Sequence, residues 1–419
     1  MSLVLSRSMC QSPRHHLPNG FSWSTEIVEL EEAKVESYDV IVVGVGGMGS
    51  AAVYHLARRG LRVLGIEQHD IPHERGSSHG ISRIIRLAYF EHPAYVPLLQ
   101  RAYALWWALE HEVREPLLVI TGSLDIGSET SPVFSGARSA AQQHHLAHEI
   151  LEAPEVRQRF PGYGIEPPLL GLYQPQGGLL AAERCIVAHV TAALRRGATV
   201  HGRETLEQWE TQGDGVLIQT SRGTYRGHRL IFTAGAWMPR VLGVIGPTLQ
   251  PERQVMLWLQ PRTPEHFDVG TFPVFNMAVD EGTFYGFPAY SIPGFKLARW
   301  HHLEQAVPDP DTMDRDCHPE DETLLRTFVR RYFPRADGPT LSMRTCLFTN
   351  TPDGHFVVDL HPRWPQVVIG GGFSGHGYKF CSVIGEILAD LAEQGTTRHD
   401  ITLFRASRFP EIEASGIRQ

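Results

Sequence analysis

At 419 residues the chain is long for one hydrophobic core, so two domains are expected. Its composition, 42% hydrophobic and 20% charged, is globular, and no run of about 18 apolar residues is present to span a membrane. A formal net charge of -8 lacks the basic footprint of a nucleic-acid binder.

Residues 1–37 differ in character from the rest of the chain. Arg7, Arg14, His15 and His16 precede an acidic stretch from Glu26 to Glu36, without the apolar segment of a secretory signal. The expectation is a disordered N-terminal extension or a misassigned start, with an organelle transit peptide as the weaker alternative.

The first element is the β-branched run Tyr38-Asp-Val-Ile-Val-Val-Gly44, which predicts a buried parallel strand. Gly44-Val-Gly46-Gly47-Met-Gly49 comes next, then a helical pattern from Ser50 to Arg59 closed by Gly60, then a second strand over Arg62–Glu67. In this order Gly44 permits a tight turn, Gly46 lets a pyrophosphate approach the backbone, and Gly49 permits close helix packing. The helix start offers free N–H groups to phosphate. Glu67, near the spacing of a ribose-binding acid, completes a dinucleotide fingerprint that does not by itself separate FAD from NAD.

Beyond it lies Gly76-Ser77-Ser78-His79-Gly80-Ile-Ser-Arg83-Ile-Ile-Arg86. Arg83 and Arg86 share a face if the segment is helical. Arg86 could clamp a carboxylate bidentately and Arg83 could lie against an aromatic ring, unless both belong to a solvated basic face. His228–Trp237 reads as a later strand of the same sheet, ending in small residues near the nucleotide. Gln366–Gly370 reads as another strand, feeding a glycine-rich turn (Gly375, His376, Gly377) and then an apolar helix opened by Lys379. Such a helix start can hold a flavin oxygen that gains negative charge on reduction.

Two residue counts bear on chemistry. The only lysines are Lys34, Lys296 and Lys379 within a Lys+Arg total of 38, and an ammonium does not substitute for a guanidinium. The five cysteines, Cys10, Cys185, Cys317, Cys346 and Cys381, are scattered and lack CxxC spacing. That usage suits a reducing, cytoplasmic setting and argues against a disulfide framework or a zinc site; no metal is expected.

From about Tyr38 onward the chain resembles the monomeric sarcosine oxidase and N-methyltryptophan oxidase family of flavoenzymes. The motifs DVIVVGxGxMG, GSSHGxxRIIR, YGFP, MRTC and GFSGHGYKF occur in order over nearly the whole length. The resemblance implies one FAD per chain, attached through its 8α-methyl to the sulfur of Cys346, with neighbouring Arg344 favouring the thiolate. It implies that Arg86 and Lys379 hold a substrate carboxylate, that Arg83 stacks on the flavin, and that Lys296 activates oxygen. Tyr285 matches a tyrosine lining the family's substrate cavity, and His79 and His376 are expected to tune the charge of the pocket. Phe348 stands where sarcosine oxidases place a tyrosine, and Trp300 where a histidine is frequent, which bears on the substrate more than on the reaction.

The implied fold is α/β: a discontinuous Rossmann-like FAD domain (38–116, 177–249 and 349–419) and an α+β substrate domain on a mostly antiparallel sheet (117–176 and 250–348). The implied reaction oxidises a sarcosine-like secondary amino acid by hydride transfer to flavin; the imine hydrolyses, and reoxidation by O2 gives hydrogen peroxide. The partners are then a small amino acid and O2, with no nucleic acid or membrane, and the chain is expected to be a monomer. The alternatives are N-methyltryptophan or a cyclic imino acid such as pipecolate as substrate, or an FAD dehydrogenase feeding a protein acceptor. A pyridine-nucleotide monooxygenase lacks its second fingerprint, and a non-catalytic scaffold gives no reason for Cys346 and the two lysines.

Overall fold

A computed structural model describes residues 35–243, 249–292 and 294–409. Cys10, Lys34 and the expected extension up to residue 34 lie outside the described residues.

The β-branched run at Tyr38 forms the strand Glu36–Val43, and its interior residues are fully buried. Parallel neighbours flank it on both sides, Val63–Ile66 and Thr224–Phe232. Thr199–His201 extends the parallel array on one side and Val367–Gly371 on the other. Antiparallel additions at Leu206–Gln212, Gly215–Thr220 and Val357–Leu360 complete eight strands. Helices Gly47–Arg58, Ala182–Leu194 and Cys381–Gln394 pack on one another over this sheet. The crossing is close: a Cβ at Gly385 would lie 2.5 Å from the Ala51 side chain.

A second eight-stranded sheet runs in the order Thr340–Asn350, Gln250–Leu259, Phe295–Arg299, Gly282–Phe287, Val274–Val279, Ser123–Gly127, Leu170–Gln174, Glu149–Glu152. Every neighbouring pair is antiparallel except Val274–Val279 with Ser123–Gly127. The expected mostly antiparallel sheet is therefore present. Its two faces differ in chemistry because side chains alternate along each strand. Val255, Leu257, Phe275, Phe284, Phe295 and Leu297 point to one face and build an apolar core under the helix Pro319–Tyr332. Phe284 stacks on Phe328 of that helix with ring centroids 3.7 Å apart. The helix is also fastened by Arg253, whose two terminal nitrogens donate to Asp321 at 3.0 and 2.8 Å, with His302 Nε2 at 2.9 Å from the same carboxylate.

The opposite face carries the candidate chemistry. Cys346 lies across from Gln254, Tyr285 across from both Ala298 and Asn276, Lys296 across from Trp258 and Phe287, and Asn276 across from Asp125. A small third sheet joins Ser82–Ile85, Gly178–Ala181 and Leu118–Ile120. Ser82–Ile85 is thus a strand, and the shared helical face considered for Arg83 and Arg86 does not form. Residues three apart in extended chain point to opposite sides, so these arginines serve different places.

Candidate active site

The glycines of the fingerprint act as their spacing predicts. Gly44 has φ +90°, and a Cβ there would lie 2.6 Å from the Thr233 carbonyl oxygen. A Cβ at Gly49 would collide with the Gly44 carbonyl oxygen, so this glycine serves packing. Gly46 faces space, its nearest atom for a Cβ being Ser78 Oγ at 3.7 Å. It is also the N-cap of helix Gly47–Arg58; having no side chain it cannot cap the helix itself, and the Gly47 N–H donates to Ser78 Oγ at 3.2 Å. Glu67, 5% exposed, accepts from the backbone N–H groups of Val45 and His69, each at 3.0 Å. Burial raises its carboxyl pKa against those bonds.

Gly44, Val45, Gly46 and Glu67 line a cleft holding about 1430 Å³ of non-atom space, part of it open to solvent. It runs from Gly46 and Glu67 to Arg83, Phe348, Gly375 and Tyr378. A glycine-rich helix start, a wall without Cβ and a buried acid at the second strand's end fit a dinucleotide. Gly375 has φ +77°, and any Cβ there would collide with the Phe348 ring, so the far end of the cleft is shaped by the absence of a side chain.

Cys346, Lys296, His79 and Tyr285 do not line the cleft themselves but gather around Arg83 and its strand. Arg83 donates to the carbonyls of Ser82 and Ser77 at 2.9 Å, and its Nη2 is 3.7 Å from Cys346 Sγ. Arg344 instead pairs with Glu74. The cation beside the thiol is therefore Arg83, a correction to the expectation based on chain adjacency. Lys296, 2% exposed, donates to Gly80 O and Ser82 O at 2.7 Å and to Ser82 Oγ at 3.2 Å. Burial, with Arg83 nearby, pulls its pKa well below the usual lysine value. His79 is 1% exposed and neither ring nitrogen has a hydrogen-bond partner among the described residues. Burial and the charges of Arg83 and Lys296 depress its pKa to about 3, so the ring is neutral. Burial raises the phenol pKa of Tyr285.

Arg86 and Lys379, far apart in sequence, meet in one buried cluster. Arg86 donates to Ala88 O at 2.6 Å and to Glu91 Oε2 at 2.7 Å, between the rings of Tyr89 and Phe90 at 4.5 and 4.3 Å. Its Nε is 3.8 Å from Asp125 Oδ1. Lys379 Nζ donates to the His376 carbonyl at 2.9 Å and lies 5.1 Å from the Tyr89 ring centroid. Burial lowers its pKa to about 7 against the pull of Glu91. His376 Nε2 is 2.9 Å from Gly354 O and must carry the proton, so Nδ1 accepts from Tyr89 Oη at 2.6 Å. Burial depresses this histidine to about 4.

Glu91, Asp125 and Asn276 are members of the cluster that sequence reasoning missed. Asp125 alone left a local signal, an acid between Leu124 and Ile126 in an otherwise buried strand. Trp300 stacks parallel to the His376 ring at 6.1 Å, with Phe90 at 5.9 Å and Phe348 at 6.4 Å. These aromatics wall the cluster with apolar surface where the resemblance to sarcosine oxidases implies polar groups.

The sequence model of the family "DAO: FAD dependent oxidoreductase" matches residues 39–391. The monomeric sarcosine oxidase of Streptomyces avermitilis is 42% identical over 387 residues, 90% of this chain and 99% of that protein. The N-methyl-L-tryptophan oxidase of Citrobacter koseri is 33% identical, over 89% of this chain and all of that protein. Among solved structures, NikD, described as an unusual amino acid oxidase essential for nikkomycin biosynthesis, superposes in its open form with a TM-score of 0.77 at 25% identity. That match covers 88% of this chain and 98% of NikD. With the cleft built to take FAD, the chain belongs to the FAD-dependent oxidoreductases, within the family of the monomeric sarcosine and N-methyltryptophan oxidases.

Proposed function

We propose that the protein oxidises a small secondary amino acid, sarcosine or a near N-methyl relative, and that O2 is the final acceptor, yielding hydrogen peroxide. The observation that carries this reading is the convergence of Arg86 and Lys379, from opposite ends of the chain, on one buried cluster around Tyr89 and Glu91. When bound, FAD supplies the two-electron acceptor for the amine's C–H bond. Arg86 and Lys379 hold the substrate carboxylate beside the Arg86–Glu91 pair. Trp300, Phe90 and Phe348 keep water away from the amine. His376, with both ring nitrogens engaged, orients Tyr89 rather than taking the amine proton. Lys296 places a compact positive charge, when protonated, beside the strand of Arg83, where it favours reduction of oxygen.

Toward the cofactor, Glu67 would hold the ribose, Arg83 would lie against the isoalloxazine, and Cys346 would be the thiol for an 8α linkage, the two electrons released in making it passing through the flavin to O2. The flavin half is assigned to 38–116, 177–249 and 349–419 and the substrate half to 117–176 and 250–348, in a cytoplasmic monomer. The apolar wall of Trp300 and Phe348 favours a second reading, in which the substrate is a bulkier N-methyl or cyclic amino acid such as N-methyltryptophan or pipecolate. Anaerobic addition of sarcosine to the yellow protein decides between them: bleaching near about 450 nm supports sarcosine. An unchanged spectrum that bleaches with the bulkier amino acids moves the substrate to that class.

A further inference from the structure

The cluster around Arg86 contains a second acid that the proposed reaction does not use. Asp125 is 0% exposed. Its Oδ1 accepts from Asn276 Nδ2 at 2.8 Å and lies 3.8 Å from Arg86 Nε, while Oδ2 has no hydrogen-bond partner among the described residues. Arg86 Nε, Ser123 Oγ, Gln174 Nε2 and Glu91 Oε1 are likewise buried without a hydrogen-bond partner among the described residues. Ser123 is opposite Gln174, and Asp125 opposite Asn276, so these groups share one face of the second sheet beside Arg86. Tyr89 and His376, the other titratable neighbours, are neutral.

The charges of the cluster set a constraint on binding. Arg86 and a protonated Lys379 balance Glu91 and Asp125. A substrate carboxylate adds a third anion to a buried site, where an uncompensated charge is costly. One group in the cluster must then gain a proton. Glu91 is poorly placed to do so, because it bonds directly to Arg86, and the positive charges of Arg86 and Lys379 outweigh its burial to hold its pKa down. Resting on the reading that Arg86 and Lys379 bind the substrate carboxylate, we propose that Asp125 takes up a proton from solvent when that carboxylate binds, and so couples substrate affinity to pH. Burial, opposed by Arg86 and Asn276, has already moved the Asp125 carboxyl up to about 6, so a further anion nearby readily completes the protonation. Lys379, at about 7, is the rival acceptor.

The test uses the FAD-loaded enzyme and acetate, a carboxylate without an amine proton of its own. Affinity is read from the flavin spectrum, and proton uptake from an indicator dye in weakly buffered solution. Near pH 6.5, where Lys379 is still largely protonated and Asp125 largely ionised, the wild-type enzyme should gain more than about half a proton per acetate, and Kd should rise by up to about tenfold per pH unit as the pH is raised. In Asp125→Asn most of that uptake disappears, and at pH 8 acetate binds at least about tenfold tighter than to wild type, whereas a purely structural role would loosen binding. Uptake unchanged in Asp125→Asn assigns the proton to Lys379 and overturns the proposal, as does wild-type binding with no uptake. Should Asp125→Asn fail to retain FAD, Asn276→Leu removes the donor to Asp125 while keeping its carboxyl. The pH at which affinity breaks must then rise, and an unmoved break overturns the proposal. Arg86→Met should abolish acetate binding. If it binds acetate like wild type, the carboxylate reading itself has failed, whatever Asp125 does.

Discussion

The dinucleotide fingerprint lies in one stretch of chain, Glu36 to Glu67, whereas the cluster around Arg86 gathers Glu91, Asp125, Asn276, His376 and Lys379 from across the sequence. The cradle is specified by what is missing, since Gly44 and Gly49 have backbone where a Cβ would sit. The cluster is specified by buried charges that balance one another. Its construction therefore cannot be seen until the strands are paired. The first kind of site tolerates no added atom; the second tolerates atoms but not an uncompensated charge.

The largest effect that contrast predicts is in the cradle. Gly49→Ala places a methyl on the Gly44 carbonyl, and flavin absorbance per mole of purified chain should fall more than about tenfold, the backbone shift costing about 1–3 kcal/mol or more. Retention of full flavin content would show that the turn can yield. Next is Lys296→Met, for which the rate of reoxidation by O2 should drop by about 10² to 10³ while anaerobic reduction changes far less. An unchanged oxygen rate favours the dehydrogenase alternative.

Arg86→Met leaves Glu91 and Asp125 buried with Lys379 as the remaining cation, so half-saturation for the amino acid should rise by about 10² or more. Changes in limiting rate with no change in half-saturation would place the carboxylate elsewhere. A smaller effect separates the regions by pH. His376 and His79 titrate in the folded chain at about 4 and about 3, below the unfolded value of about 6.5. Their contribution to stability is full above that unfolded value and is lost as pH falls through the folded ones. The melting temperature should therefore hold above pH 7 and decline between about 6.5 and 4, less steeply in His376→Asn. The smallest effect is Phe348→Tyr, which should alter the preference between sarcosine and a bulkier N-methyl amino acid by less than about tenfold.

Legibility in the sequence divides along the same line. The run ending at Gly44, the glycine spacing and Glu67 are local, and strand, turn, helix and strand all form where those patterns lie. The motif around Arg83 and Arg86 is legible as a site but not as a strand, because Ser82–Ile85 owes its extended form to pairing with Gly178–Ala181. Adjacency points to Arg344 as the partner of the thiol, yet the bond to Glu74 takes it away, and Arg83 reaches Cys346 from another sheet. Asp125 and Asn276 are connected only through register, since their strands are parallel neighbours separated by a long stretch of chain.

The cleft takes Gly44 and Thr233 from the first sheet and Leu347 and Phe348 from the second. A cofactor filling it is consequently a term in the folding equilibrium. A ligand bound only by the native chain adds about 1.4 kcal/mol of stability for each tenfold rise in its concentration above Kd. The flavin supply of the cell then sets how much of the polypeptide persists as folded protein. Variants weakened far from the cleft should recover abundance when flavin is plentiful, and a completed bond at Cys346 would end that dependence by making the ligand part of the chain.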